Sequence, residues 1–349
     1  MKVLKIYIHL LLFVLFIASP HVSWAEEAFS AGTILPTSPQ EIEQTLSEMH
    51  QKYMALKDGE VYISGTEQVN PDWFGIAIAT VDGRVHMVGN ADTPFPIQSI
   101  AKPFVYGLAL EDHGREIMLK KVGVNATGLP YDSIIASTVR AKQLQNPMVS
   151  AGAIATTSLI KGSTAKKKWA RVRRVFSRYA GHTLPLNEQV YQAEMKQSAM
   201  SRALAELLSA YHLLYAKVDD TIALYLKGTS QSVTAKDLAI MGATLANWGA
   251  NPLTQERAIK EKYVQNILSA MVTAGLYDDS GEWLFKVGLP GKSGVGGGIV
   301  AVVPGRFAVA VYSPPLDSSG NSVRGVHVVQ DLSNRWDLHM FSPRREESR

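Results

Sequence analysis

Ile42, Leu46, Met49 and Tyr53 recur three or four residues apart among polar neighbours, a spacing that predicts an amphipathic helix. Its start is written in Ser38-Pro39-Gln40-Glu41: Ser38 can cap, Pro39 suits the first helical position, and Glu41 completes a capping box. From Phe74 to Thr80 the period shortens to two and runs into Asp82-Gly83, with Val85 to Val88 beyond, which predicts a β-hairpin. Helical spacing returns from Ser99 to about Asp112. A loop-rich stretch then leads to Asn146-Pro147 and the small-residue run Ser150 to Thr157. Further on, Asn187 opens a helix to about Lys217, Thr234 caps one ending near Gly249, and Thr254 caps one ending at Gly275. Ile299 to Val303 and Phe307 to Tyr312 flank Pro304-Gly305 as a second hairpin, and Asn321 to Phe341 closes the chain as a helix. Strands near both ends with helices between them predict an α+β fold. Its antiparallel sheet is built from N- and C-terminal strands, with a helical region inserted. There is no internal repeat.

The first residues follow a different logic. Lys2 and Lys5 precede an apolar run, Ile6 to Ala18, and Ser23-Trp24-Ala25 is a small-x-small cleavage signal before Glu26. The run is short for a bilayer span, so residues 1–25 read as a cleaved signal peptide, with a membrane anchor as the other reading, and 26–349 as a single domain, periplasmic or secreted. No later segment reaches the ~18 consecutive apolar residues of a membrane helix. The chain has 35 Lys and Arg against 31 Asp and Glu; without Lys2 and Lys5 the excess is +2, no footprint for nucleic acid. The absence of cysteine excludes disulfides, a thiol nucleophile and thiolate metal sites.

Charge is uneven all the same. Lys161 to Arg178 holds eight Lys or Arg and no acid, which reads as a solvated helix face with Trp169, Val172 and Val175 turned inward. Eight like charges without partners predict local mobility; contact with a membrane surface or an anionic polymer is the other reading. Glu111, Asp112 and His113 are adjacent, so they point apart and make a poor metal site. The nine histidines lack H-x₃-H spacing, and no cofactor or catalytic metal is implied. Trp73, Trp248, Trp283 and Trp336 sit beside apolar neighbours and read as packing residues, and Asp278-Asp279 reads as a turn, with pairing to Lys292 the other reading.

Ser99-Ile100-Ala101-Lys102 is an S-x-x-K sequence that puts an amine and a hydroxyl on one helical face. A lysine whose pKa is lowered by burial can take a serine proton near neutral pH. Alone the motif is equally a capping serine and a surface lysine. Lys292-Ser293-Gly294, followed by Val295-Gly296-Gly297-Gly298 and a strand, adds weight, because glycines admit close backbone approach and a strand edge can aim an N–H at an oxyanion. A phosphate-binding loop is excluded, since there Lys-Ser follows the glycines and a helix comes next. S-x-x-K early and K-S-G late is the order of the active-serine penicillin-recognising enzymes. Their middle S-x-N or Y-x-N motif is missing between Lys102 and Lys292.

Longer segments resemble the serine-dependent glutaminases, whose β-lactamase/DD-peptidase-like fold the resemblance implies. They are Phe95 to Lys102, Asn146 to Ile154, Leu245 to Pro252, Gly275 to Trp283 with Val287 to Gly294, and Ser313 to Asp317 with Gly320 to Val323. The likeness covers about residues 40 to 342. It implies Ser99 as nucleophile, Lys102 as base, Tyr62 beside the nucleophile and Tyr277 as a second active-site tyrosine. It also implies Tyr225 in the substrate site, Val295 in the oxyanion hole and Glu194 on the α-ammonium of glutamine; Lys292 belongs to the same set. At two positions where the family has asparagine on the amino-acid end of the substrate, this chain has Ser150 and Ser201. The resemblance implies hydrolysis of L-glutamine to L-glutamate and ammonia, a small amino-acid substrate and a homo-oligomer. The two serines leave open a related γ-amide or peptide substrate, or a non-catalytic envelope binding protein on the same scaffold.

Overall fold

A computed structural model describes residues 38–63, 69–134 and 145–343. The expected signal segment, residues 1–25, lies outside them. The chain runs through α1 (Pro39–Met54), β1 (Glu60–Val61), β2 (Gly75–Thr80), β3 (Val85–Gly89) and β4 (Phe95–Pro96) into a 3₁₀ turn, Gln98–Ala101, and α2 (Lys102–His113). Then come α3 (Arg115–Lys121), α4 (Ser150–Ser158), α5 (Ala165–Ala180), α6 (Glu188–Lys196), α7 (Ala199–Ala210), α8 (Val218–Thr229), β5 (Ser232–Val233) and α9 (Ala235–Ala246). The last part is α10 (Val264–Ala274), a 3₁₀ turn Tyr277–Asp279, α11 (Ser280–Lys286), β6 (Gly291–Gly294), β7 (Gly298–Val303), β8 (Phe307–Tyr312), β9 (Pro315–Leu316) and α12 (Val323–Arg335).

Both predicted hairpins form, and they join. The main sheet has the order β3-β2-β8-β7-β6, all antiparallel, with Gly75 paired to Tyr312 and Thr80 to Phe307. The strands β2, β7 and β8 are buried on both faces, because helices cover each side. Large residues face one way: Ile76, Ile78, Ile299, Val309 and Val311 meet Leu46 and Met49 of α1 and Val328 and Leu332 of α12. Small ones face the other: Ala77, Ala79, Ala308 and Ala310 let α9 lie close. A Cβ at Gly242 of α9 would stand 2.6 Å from the Ala308 Cβ.

Several boundaries differ from the sequence reading. The helix expected from Asn187 to Lys217 is two, broken where Ser198 Oγ donates to Met195 O (2.7 Å), a local bond that competes with helix continuation. The helix expected from Thr254 starts at Val264, because the Asn251 side chain captures the N–H groups of Leu253 (2.9 Å) and Thr254 (3.1 Å) in a turn. The closing helix ends at Arg335, ahead of Asp337 with φ 51°. The stretch read as loop contains α3, set off by Gly114 at φ 78°. At Ser38 only the cap bond from Glu41 N forms (3.2 Å); the reciprocal capping box is at Thr234 and Asp237. The basic segment is not partnerless, since Arg171 pairs with Asp112 and Arg178 with Glu256. Asp112 is thereby spent, Glu111 accepts from Lys260 N, and His113 bonds Leu159 O.

The close of α10 against β6 gives a stability prediction. A Cβ at Gly275 would lie 1.9 Å from Gly291 O, backbone that cannot step aside cheaply. Gly275→Ala is expected to destabilise the chain by about 1–3 kcal/mol, read as a lower urea midpoint at unchanged m. An unchanged midpoint would refute the packing argument.

Candidate active site

Ser99 stands in the 3₁₀ turn and Lys102 opens α2 directly after it, both nearly buried at 8% and 3% exposure. Gln98 enters the turn at φ 48°, a left-handed conformation costly for a residue with a Cβ. Two bonds hold it there: Gln98 Nε2 donates to Glu194 Oε1 (3.1 Å), and Ile97 N donates to Gln231 O (2.8 Å).

Lys102 Nζ has no hydrogen-bond partner among the described residues. Burial pushes its pKa down to about 7, against a smaller upward pull from the Asp132 carboxylate. A buried amine in that condition is partly neutral near pH 7 and free to accept a proton. The Ser99 hydroxyl lies beside the Tyr277 phenol, and no hydrogen bond joins it to Lys102. Tyr277, itself at φ 60°, donates onward to Ser293 O (3.1 Å). Burial raises the Tyr277 phenol far above its ordinary range, so it stays protonated.

Lys292 is buried more deeply than Ser99 or Lys102. It is fully buried in β6, its Nζ donates to Gly275 O (2.8 Å) and Ser293 O (2.6 Å), and it lies 4.2 Å from the Tyr277 ring centroid. Burial first and the Lys102 charge second hold its pKa well below the usual lysine value. It braces Tyr277 from behind.

Val295 sits in the turn between β6 and β7. The glycines around it explain how that turn reaches the nucleophile. A Cβ at Gly294 would lie 3.0 Å from Ile100 Cγ1, and one at Gly296 would lie 2.5 Å from Pro96 O. Gly320 crosses the same space, where an added Cβ would meet Val295 Cγ1 at 3.4 Å and Tyr277 Cε2 at 3.7 Å.

The other half of the site gathers around Glu194 of α6. Tyr62 Oη donates to Glu194 Oε1 (3.2 Å), so its hydroxyl is on the carboxylate and not on Ser99. Ser150 begins α4, and its hydroxyl lies beside Tyr225 of α8, whose phenol burial raises well above its ordinary value. Tyr225 and Tyr62 both feel the Glu194 charge. Ser201 lies in the first turn of α7, which packs on α4, but no hydrogen bond among the described residues joins its side chain to the others. A linking residue went unnoticed in the sequence. Tyr131 has its ring 4.6 Å from Tyr277, receives Lys102 Nζ at 6.0 Å from its centroid, and accepts the Ser150 N–H on its carbonyl (2.9 Å). Gln98 and Asp132 were missed as well. Gln98 had one signal, its place beside Ser99; Tyr131 and Asp132 had none, since they reach the site through a loop.

The family model described as Glutaminase matches residues 59–341. The chain belongs to the glutaminase family. A glutaminase of Trichormus variabilis is 47% identical over 309 residues, 88% of this chain and 92% of that one. Among solved structures, the probable glutaminase ybaS superposes with a TM-score of 0.86 at 37% identity, covering 88% of this chain and 100% of that chain. Mglu in its glutamate form superposes at 0.82 and 36% identity, over 86% of this chain and 70% of that one. This glutaminase-family chain has the expected α+β architecture and contains no helix, among the described residues, long and apolar enough to cross a membrane.

Proposed function

We propose that the chain hydrolyses L-glutamine to L-glutamate and ammonia through a serine ester. Glutaminase family membership supports the reaction, and the glutamate form of Mglu supports a pocket of this fold that accepts the product. The observation that carries the mechanism is the buried Lys102 amine, poised at about 7 one turn from Ser99. Neutral Lys102 takes the Ser99 proton, and Ser99 Oγ attacks the side-chain carboxamide carbon. The N–H groups of Ser99 and Val295 receive the oxyanion. The proton returns from Lys102, by way of Tyr277, to the departing nitrogen, and the C–N bond breaks to release ammonia. Water then adds to the γ-glutamyl ester, with Lys102 again as base, and Ser99 leaves with its proton restored. Glu194 holds the α-ammonium, with Tyr62 and Gln98 keeping its carboxylate in place. The test is ammonia release from glutamine and from asparagine by the purified chain beside Ser99→Ala.

Ser150 favours attention to the substrate's other end, because its hydroxyl lies beside the Tyr225 phenol. A hydrogen bond to a charged group contributes about 1.5–3 kcal/mol, and a short serine supplies part of what a longer amide would. Ser150→Asn and Ser201→Asn are each expected to lower KM for glutamine about five- to thirtyfold with a smaller change in kcat, since this end binds ground and transition states alike. Weaker turnover in both variants would instead support a γ-amide or peptide substrate with a modified amino-acid end. We also propose export with cleavage after Ala25, and a homo-oligomer. Intact mass of the exported chain tests the first and sedimentation the second.

A further inference from the structure

We propose that the outward face of α5 is an electrostatic docking surface for a bilayer rich in anionic phospholipid. The helix carries Lys166, Lys167, Arg173 and Arg174 exposed, with Lys161 just before it, and none of these has an ion-pair partner among the described residues. Its two paired cations, Arg171 and Arg178, lie nearer the body of the protein and fasten the helix to Asp112 and Glu256.

The placement works against the helix itself. After the Thr164 cap the first turn holds lysines and no acid, at the end where the macrodipole is already positive. Lys167 and Arg171 are four residues apart, Arg174 and Arg178 likewise, and such like-charged neighbours repel. Local stability therefore disfavours this arrangement, and an anionic surface adds an attraction to each cation that offsets these repulsions. The apolar side cannot insert into lipid, because Val172, Val175, Phe176 and Tyr179 are buried against α2, α8 and α9. Binding must be through charge alone.

A plane fits this face better than a nucleic acid does. The face is one unbroken helix about 24 Å long, with Ala165, Ala170 and Ser177 between the cations. It presents no ring on which a base could stack, since Trp169 is half-buried with Lys227 6.0 Å from its ring and Tyr179 is buried. Each cation near an anionic bilayer strengthens partitioning about fivefold, an effect that falls within a Debye length.

The test is co-sedimentation of the full chain with vesicles of phosphatidylcholine alone and of phosphatidylcholine with phosphatidylglycerol, at low and high salt. The comparison is the Lys166→Gln, Lys167→Gln, Arg173→Gln, Arg174→Gln variant. The expected result is binding to the anionic vesicles only, lost at high salt and reduced about 10²–10³-fold in the variant, with far-UV dichroism and ammonia release in solution unchanged. Binding to neutral vesicles, binding that survives the four substitutions, or tighter binding to duplex DNA than to anionic vesicles would each overturn the proposal. The apolar segment 6–18 is common to both chains, so attachment through it would appear as one of the first two outcomes.

Discussion

Ser99→Ala is expected to lower glutamine hydrolysis by about 10⁴–10⁶-fold, the scale on which a serine nucleophile fails when its oxygen is removed. The change deletes a single atom whose neighbour is the Tyr277 hydroxyl, in a turn held by backbone and Gln98 bonds that do not involve the side chain. Folding should therefore survive, and dichroism with an unchanged urea midpoint would show it. Tyr277 then loses a neighbouring hydroxyl but keeps its own bond to Ser293 O. Ammonia release at the parent rate would remove Ser99 from the mechanism while leaving the family assignment intact.

Lys102→Ala should cost about 10²–10⁴-fold in kcat/KM, the usual contribution of a positioned general base. Its signature is the pH profile. In the parent chain Lys102 is protonated and inactive below its pKa, so kcat/KM should fall about tenfold per pH unit below about 7 and level off above it. Residual activity of Lys102→Ala should lack that limb. The same group acts on stability. Between about 7 and the ordinary lysine value the unfolded chain holds the proton and the folded chain does not, so stability contributed by this site rises with pH across that window. A parent profile flat from pH 5 to 8 would contradict the assignment of Lys102 as base.

Much of the fold could be read from periodicity because its two hairpins are local. The alternation of Ile76 and Ile78 with Ala77 and Ala79, and of Val309 and Val311 with Ala308 and Ala310, already sorts the two faces of the sheet. Helix ends were harder, since the deciding bonds at Asn251 and Ser198 run from side chain to backbone and leave no periodic trace. For the site, Ser99, Lys102 and Glu194 lie in recognisable segments, while Tyr131 and Asp132 are ordinary loop residues until the chain folds.

The chain alone therefore determined the family, the α+β order of elements and the spacing of hydroxyl and amine on one turn, because each depends on neighbours within a few residues or on long matching segments. Tertiary structure decided the chemistry of those groups. Only burial moves Lys102 to about 7, only the meeting of the 3₁₀ turns at Gln98 and Tyr277 brings the Ser99 hydroxyl beside a phenol, and only the depth of β6 turns Lys292 into a brace. Desolvation and the meeting of segments about 180 residues apart are properties of the packed interior, and no local pattern carries them.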